Sequence, residues 1–214
     1  AARPLPCDAD ELAKLQASIG SRPVWLAAAT IAQEHPFMVN AHARLREALP
    51  DARMIIAPRH VADGDALEAL ALERFAQVSR RSRNEGVTED TQVYIADTIG
   101  EMGLWYRLAP VSFVGHSLDL KGAGLEGKNP FEAAARGSAI LHGSAVSYCA
   151  ESYDALERAG GACEVDSAEA LADAVLSLQG DAARAPLVAG ANPVIEAQST
   201  VLIDTWEAIA AQIF

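Results

Sequence analysis

The stretch Gly122-Ala-Gly-Leu-Glu-Gly-Lys-Asn-Pro-Phe-Glu132 holds the residues of this chain best suited to grip a polar ligand. Its glycines let the backbone bend close to a bound group. Asn129 stands where a helix N-cap belongs, Pro130 at the first helical position and Glu132 in the first turn. A helix start leaves amide N–H groups unpaired and carries partial positive charge, which suits an anionic or hydroxyl-rich group. An ionised glutamate there is acceptor-only and can take two hydrogen bonds from a diol. A capped helix after a flexible loop explains the same pattern without a ligand.

Two more turns carry comparable chemistry. Residues 54–57, Met-Ile-Ile-Ala, read as a buried strand that ends in Pro58-Arg59-His60. Ligands of open parallel sheets bind beyond the carboxyl ends of the strands. Arg59 there is a natural phosphate clamp, because its guanidinium is planar and always charged; a solvated surface arginine is the plain alternative. Residues 93–96 read as another strand, running into Asp97-Thr-Ile-Gly-Glu101. Gly100 frees the backbone to approach a ligand, Asp97 or Thr98 reads as a cap, and Glu101 complements the helix dipole. The cluster Arg80-Arg-Ser-Arg83 reads as a solvated basic loop, and residues 84–90 as polar and mobile.

The elements that position these turns alternate. Residues 8–19 have helical spacing at Leu12, Leu15 and Ile19, with Gly20 as the stop. Residues 24–29 are a continuous apolar run, suited to a strand covered on both faces. A loop over 30–35 leads to a helix over 36–49. Further helices are predicted over 65–76, 102–108, 148–159, 168–178 (capped by Ser167), 182–190 and 195–214, the last with Leu202, Trp206 and Ile209 on one face. Strands are predicted at 78, 111–114, 139–141 and 162–165. Strand and helix alternate about six times, the pattern of a parallel, doubly wound α/β sheet. Trp105 and Tyr106 are expected in the core.

At 214 residues the chain can bury one full α/β core. The residues before the first helix, Arg3-Pro-Leu-Pro-Cys7, look like the end of a linker, and no secretory signal pattern opens the chain. Seventeen basic against 29 acidic residues give a net charge of −12, which argues against nucleic-acid binding and requires any anion to be held by a local site. The longest apolar runs are too short to cross a bilayer. Cys7, Cys149 and Cys163 lack metal-ligand spacing and read as reduced structural residues. The five histidines are scattered, and no Gly-x-Gly-x-x-Gly or phosphate-loop motif is present.

Several motifs in order, Pro23-Val-Trp-Leu-Ala-Ala-Ala-Thr30, Pro58-Arg-His60, Asp97-Thr-Ile-Gly-Glu-Met-Gly-Leu-Trp-Tyr106, Phe113-Val-Gly-His-Ser-Leu118, Gly127-Lys-Asn-Pro-Phe-Glu132 and Ala139-Ile-Leu-His-Gly143, resemble the carboxyl-terminal domain of 3-deoxy-D-manno-octulosonic acid (Kdo) transferases. These are GT-B glycosyltransferases of lipopolysaccharide synthesis. The resemblance implies a Rossmann-like domain of about six strands, one half of a GT-B enzyme, with residues 1–22 as linker and first helix and 23–214 as the donor domain. It implies that the donor CMP-Kdo is bound through Pro58 and Arg59, through Ile99, Gly100 and Glu101, and through Asn129, Pro130, Phe131 and Glu132. It also implies that the catalytic glutamate and the lipid A acceptor belong to an amino-terminal half absent from this chain. Membrane contact at the inner face of the bacterial inner membrane would come through that half, and no metal or cofactor is expected here. The family's His-Glu-Gly-Glu is Ile31-Ala-Gln-Glu34 here, its Gly-Gly-Ser is Gly115-His116-Ser117, Lys128 precedes Asn129, and Ala133 replaces a proline. A diverged GT-B relative, either a nucleotide-sugar epimerase or a non-catalytic nucleotide-binding module, is the alternative.

Overall fold

In the computed structural model, which describes residues 5–213 and side chains as far as Gln198, one sheet organises the domain. Seven strands run parallel: β1 (Val24–Thr30), β2 (Arg53–Pro58), β3 (Val78–Arg80), β4 (Val93–Ile95), β5 (Val111–Val114), β6 (Ala139–His142) and β7 (Ala162–Glu164). Their spatial order is β3-β4-β2-β1-β5-β6-β7. Chain order reverses between β1 and β5, so the switch point of this doubly wound sheet lies there, as a Rossmann-like fold requires. The count is one strand above the six expected.

Side chains alternate across the strands and divide the core in two. Trp25, Ala27, Met54, Ile56 and Phe113 face one cluster. It is completed by α2 (His35–Ala48), α3 (Gly64–Leu72) and α7 (Ala168–Ser177). Val24, Leu26, Ala28, Ile55 and Val114 face the other. That side is covered by α1 (Ala9–Ile19), α4 (Met102–Leu108), the single turn α5 (Phe131–Ala134), α6 (Ala150–Arg158) and α8 (Asp181–Ile213). Trp105 and Tyr106 are buried, as their apolar helix implies. The Asp8 carboxylate caps α1 by accepting from the N–H groups of Asp10 and Glu11, and the Ser167 hydroxyl caps α7 through Ala170.

Three expectations are corrected. The basic cluster is not a solvated loop. Arg80 ends β3 and is buried, while 81–83 form a 3-10 turn. Segment 84–90 is fastened as well: the guanidinium of buried Arg53 donates to the carbonyls of Thr88, Glu89 and Thr91, and Tyr94 donates to that of Glu85. The two helices predicted at the carboxyl end are one, α8, with Pro186 and Pro193 inside it. A Cβ on Gly190 would sit 2.3 Å from the Ala159 carbonyl, and one on Gly161 would sit 2.6 Å from the Ala191 amide. The glycines thus let α8 lie directly on the turn after α6, and this packing outweighs the hydrogen bonds that the prolines forgo. The side chains of Leu202, Trp206, Ile209 and Phe214 lie outside the described residues. At the other end, Leu5 and Cys7 pack against the second cluster, with Leu5 and Pro6 passing close over Gly103.

His42 titrates inside the first cluster. Its Nδ1 accepts the Trp25 indole N–H at 3.2 Å and its Nε2 faces the Gln92 carbonyl at 3.0 Å, so the neutral ring carries its proton on Nε2. Burial lowers its pKa from 6.5 to about 3, against the opposing pull of the Gln92 carbonyl. Between these values the unfolded chain binds a proton that the folded chain does not, so stability falls as pH drops through the window. At about 1.36 kcal/mol per pH unit the loss reaches about 2 kcal/mol near pH 5. Urea midpoints at pH 7 and pH 5 measure it. His42→Gln is expected to flatten the difference, and equal slopes in the two proteins would refute the assignment.

Candidate functional site

Parallel strands deliver their following loops to one edge of the sheet. At the carboxyl ends of β1, β2 and β4 a cavity of about 340 Å3 opens, lined among others by Ala29, Pro58, Arg59, Thr98, Ile99 and Gly100. Two turns singled out in the sequence therefore meet in it. The Arg59 amide donates to the Thr30 carbonyl at 2.7 Å and ties the end of β2 to the end of β1. Its side chain is exposed, and the guanidinium has no hydrogen-bond or ion-pair partner among the described residues. Gly100 has φ +89°, and nothing lies within 4 Å of the place a Cβ would occupy. The turn demands glycine for its backbone, and its amide donates no hydrogen bond among the described residues. Ile99 is 87% exposed, the most open large apolar side chain described.

Glu101 points elsewhere. Its carboxylate accepts from Arg81 at 3.1 and 2.6 Å, and from the Thr98 hydroxyl. Arg81 also donates to Glu11 on α1 at 2.5 Å and lies over the Trp105 ring, 5.6 Å from its centre. The Arg81 bonds, outweighing burial, lower the Glu101 pKa. Glu101 lines a neighbouring cavity of about 650 Å3 with Glu11, Arg81, Tyr94, Thr98 and Ile99, while Thr98 and Ile99 separate it from the first. The sequence offered no sign of this pair, because Arg81 opens the 3-10 turn that follows edge strand β3, and the pairing that places that strand is long-range.

The third turn approaches the same edge from β5. The Asn129 side chain accepts from the Phe131 N–H at 3.0 Å, but the helix that follows is a single turn whose N-cap is Pro130, one residue later than expected. Pro130 precedes that turn, Phe131 packs partly into the second cluster, and burial raises the Glu132 carboxyl pKa. Turn α5 packs against α4, whose own start follows Gly100. Asn129, Pro130, Phe131 and Glu132 do not line the 340 Å3 cavity. The structure thus joins Pro58, Arg59, Ile99 and Gly100 in one cavity, turns Glu101 to its neighbour, and sets 129–132 apart at the end of the β5 loop.

Between these groups, at the switch point, lie polar atoms that the sequence reading passed over. The Thr30 hydroxyl, His35 Nε2 and His116 Nδ1 are buried and have no hydrogen-bond partner among the described residues. Burial lowers the His35 pKa, against the opposing charge of Asp63. Buried groups of this kind are normally satisfied by protein, water or ligand. Among the described residues no group of three or more His, Cys, Asp and Glu is arranged to hold a metal ion.

No protein-family model matches the chain. A 3-deoxy-D-manno-octulosonic acid transferase from Haemophilus influenzae is 34% identical over 158 residues, 73% of this chain and 36% of that protein. A probable mitochondrial 3-deoxy-D-manno-octulosonic acid transferase from Arabidopsis thaliana is 31% identical over 151 residues, 70% of this chain and 33% of that protein. The chain therefore spans about a third of the length of the curated relatives it matches. Among solved structures, the carboxyl-terminal CMP-Kdo binding domain of WaaA from Acinetobacter baumannii superposes with a TM-score of 0.78 at 26% identity, covering 87% of this chain and 96% of that one. The chain is thus similar to Kdo transferases, and it has the Rossmann-like fold of the carboxyl-terminal domain of such a GT-B glycosyltransferase.

Proposed function

We propose that this domain binds the nucleotide-sugar donor CMP-Kdo at the carboxyl edge of its sheet, as the donor half of an enzyme that transfers Kdo to a lipid A precursor. The observation that carries the reading is the meeting of Pro58-Arg59 with Ile99-Gly100 in one cavity beside the switch point. A charged guanidinium and a backbone amide, neither with a partner among the described residues, suit a phosphate. Asn129 to Glu132 supply a second wall, where the half-buried Glu132 can accept from ribose hydroxyls. Glu101 acts indirectly, by holding the Gly100 turn against Arg81.

The chemistry is attack by an acceptor hydroxyl on the anomeric carbon of Kdo, with CMP leaving. In the full protein an amino-terminal domain, not represented in this chain, would hold the acceptor and supply the base that takes the hydroxyl proton. This domain would stabilise charge on the departing phosphate without a bound metal or cofactor. Among the described residues no helix is long and apolar enough to cross a membrane. Contact with the cytoplasmic face of the inner membrane falls to the acceptor half in this proposal. Residues 1–22 serve as linker and first helix, and 23–214 as the donor domain.

Calorimetric titration of the chain with CMP, UMP and UDP tests the reading. CMP is expected to bind, with the uridine nucleotides weaker. A preference for UMP or UDP would overturn the donor assignment and leave the fold intact.

A further inference from the structure

Glu34 is wholly buried in the turn between β1 and α2. One carboxylate oxygen accepts from the N–H of Ile31 at 3.1 Å and from that of His116 at 2.7 Å. The other accepts from Ser117 at 3.0 Å and Leu118 at 3.3 Å. Four backbone donors from two loops thus converge on one side chain. A carboxylate removed from water is stable only when its lone pairs are so occupied, and amide dipoles aimed at it compensate its charge.

The two loops are those leaving β1 and β5, the strands that flank the switch point. Each is bonded onward to one wall of the proposed nucleotide site. Next to Ile31, the Thr30 carbonyl accepts the Arg59 N–H at 2.7 Å. From His116, the carbonyl accepts the Gly127 N–H at 2.7 Å, two residues before Asn129. Gly115 lets the loops lie this close, since a Cβ there would meet the Ala28 carbonyl at 2.7 Å and the Thr30 Cα at 2.9 Å. Downstream, the Ser117 hydroxyl accepts the Gly143 N–H at 2.9 Å and the Tyr153 hydroxyl donates to the Lys128 carbonyl at 2.8 Å, so the far side of the β5 loop is anchored to β6 and α6. The side chain that fixes the near side, between the two walls, is Glu34.

We propose that Glu34 is a positioning residue: through the backbones of Thr30 and His116 it sets the spacing between the Arg59 turn and the Asn129 turn. The inference rests on the nucleotide reading of those turns. Glu34 itself touches no ligand. Glutamine in its place keeps one acceptor oxygen but turns an NH2 group toward two amide donors. Aspartate keeps the charge and draws it back by one methylene.

Hydrogen exchange and CMP titration on the whole chain, for the wild type, Glu34→Gln and Glu34→Asp, test the proposal. In Glu34→Gln the amides of Arg59 and Gly127, neither bonded to Glu34, are expected to exchange at least tenfold faster while Ile56 and Phe113 in the central strands keep their protection. CMP affinity is expected to fall tenfold or more in step, with Glu34→Asp recovering part of both. Unchanged exchange at Arg59 and Gly127, or a loss spread evenly over the central strands, overturns it. So does faster exchange at both amides with CMP affinity unchanged. If the wild type itself fails to bind CMP, the nucleotide reading falls and with it the positioning role, while the exchange pattern still decides whether Glu34 couples the loops. Should Glu34→Gln not fold, Glu34→Asp is read by the same criteria.

Discussion

Arg80→Ala is expected to destabilise the domain by about 3–5 kcal/mol, the usual effect of removing one partner from a buried ion pair. The Arg80 side chain is 7% exposed and the Asp97 side chain 1%. From Arg80, Nε and Nη2 donate to one Asp97 oxygen at 3.0 and 2.6 Å, and Nη1 donates to Glu68 at 3.2 Å and to Asp65. Burial alone would raise the Asp97 pKa, but hydrogen bonds from the Ser82 hydroxyl and amide and from Arg80 hold it low. With Arg80 gone, Asp97 keeps only Ser82, and its charge stays in a site that excludes water. The exposed Asp65 adds little, because solvent screens it. Urea denaturation with an unchanged slope would give the loss directly. Arg80→Ala combined with Asp97→Asn is expected to recover much of it, since the stranded charge is then removed too. A loss under about 1 kcal/mol would mean that the pair is hydrated after all.

That network marks where the sequence stops being readable. Strands β1 and β2 were plain as apolar runs because both their faces are covered, and α1 and α7 because Asp8 and Ser167 announce their starts within three residues. Such signals are local. Val78-Ser-Arg80 has no pattern of its own and becomes a strand only through its register with β4, where Arg80 stands opposite Ile95. Three arginines in four residues look like a wet surface until Asp97 and Glu101, 17 and 20 residues on, are known to lie beside them. Glu34 poses the same difficulty, as three of its four donors come from 82 to 84 residues away. The prolines of α8 argued locally for a break, and only the close contact of Gly190 with Ala159 and Gly160 accounts for continuity. Of the ligand turns, the sequence placed Pro58-Arg59 and Ile99-Gly100 at strand ends, and the sheet order brings them to one cavity. The rotation of Glu101 away from it depends on Arg81, which local pattern could not supply.

Arg59→Ala is expected to weaken CMP binding by roughly 1.5–3 kcal/mol, about 10- to 150-fold, the range for a lost hydrogen bond to a charged group. Among the described residues, those lining the cavity include no other arginine or lysine. The chain as a whole carries −12, so no general field draws a phosphate to this edge. Among the neighbouring cations, Arg80, Arg81 and Arg83 are held by carboxylates, whereas the Arg59 guanidinium has no partner among the described residues. Arg59 therefore loses no internal bond when it turns to a ligand. Its exposure also implies that truncation leaves folding stability within about 0.5 kcal/mol of the wild type, which separates a binding defect from a folding one. Arg59→Lys keeps the charge without the planar fork and is expected to fall between the two. Because the contact is ionic and open to water, raising salt should weaken CMP binding in the wild type more than in Arg59→Ala. Equal affinities in wild type and variant at low salt would remove Arg59 from the site and move the phosphate to the backbone amides at Gly100 and the Asn129 turn.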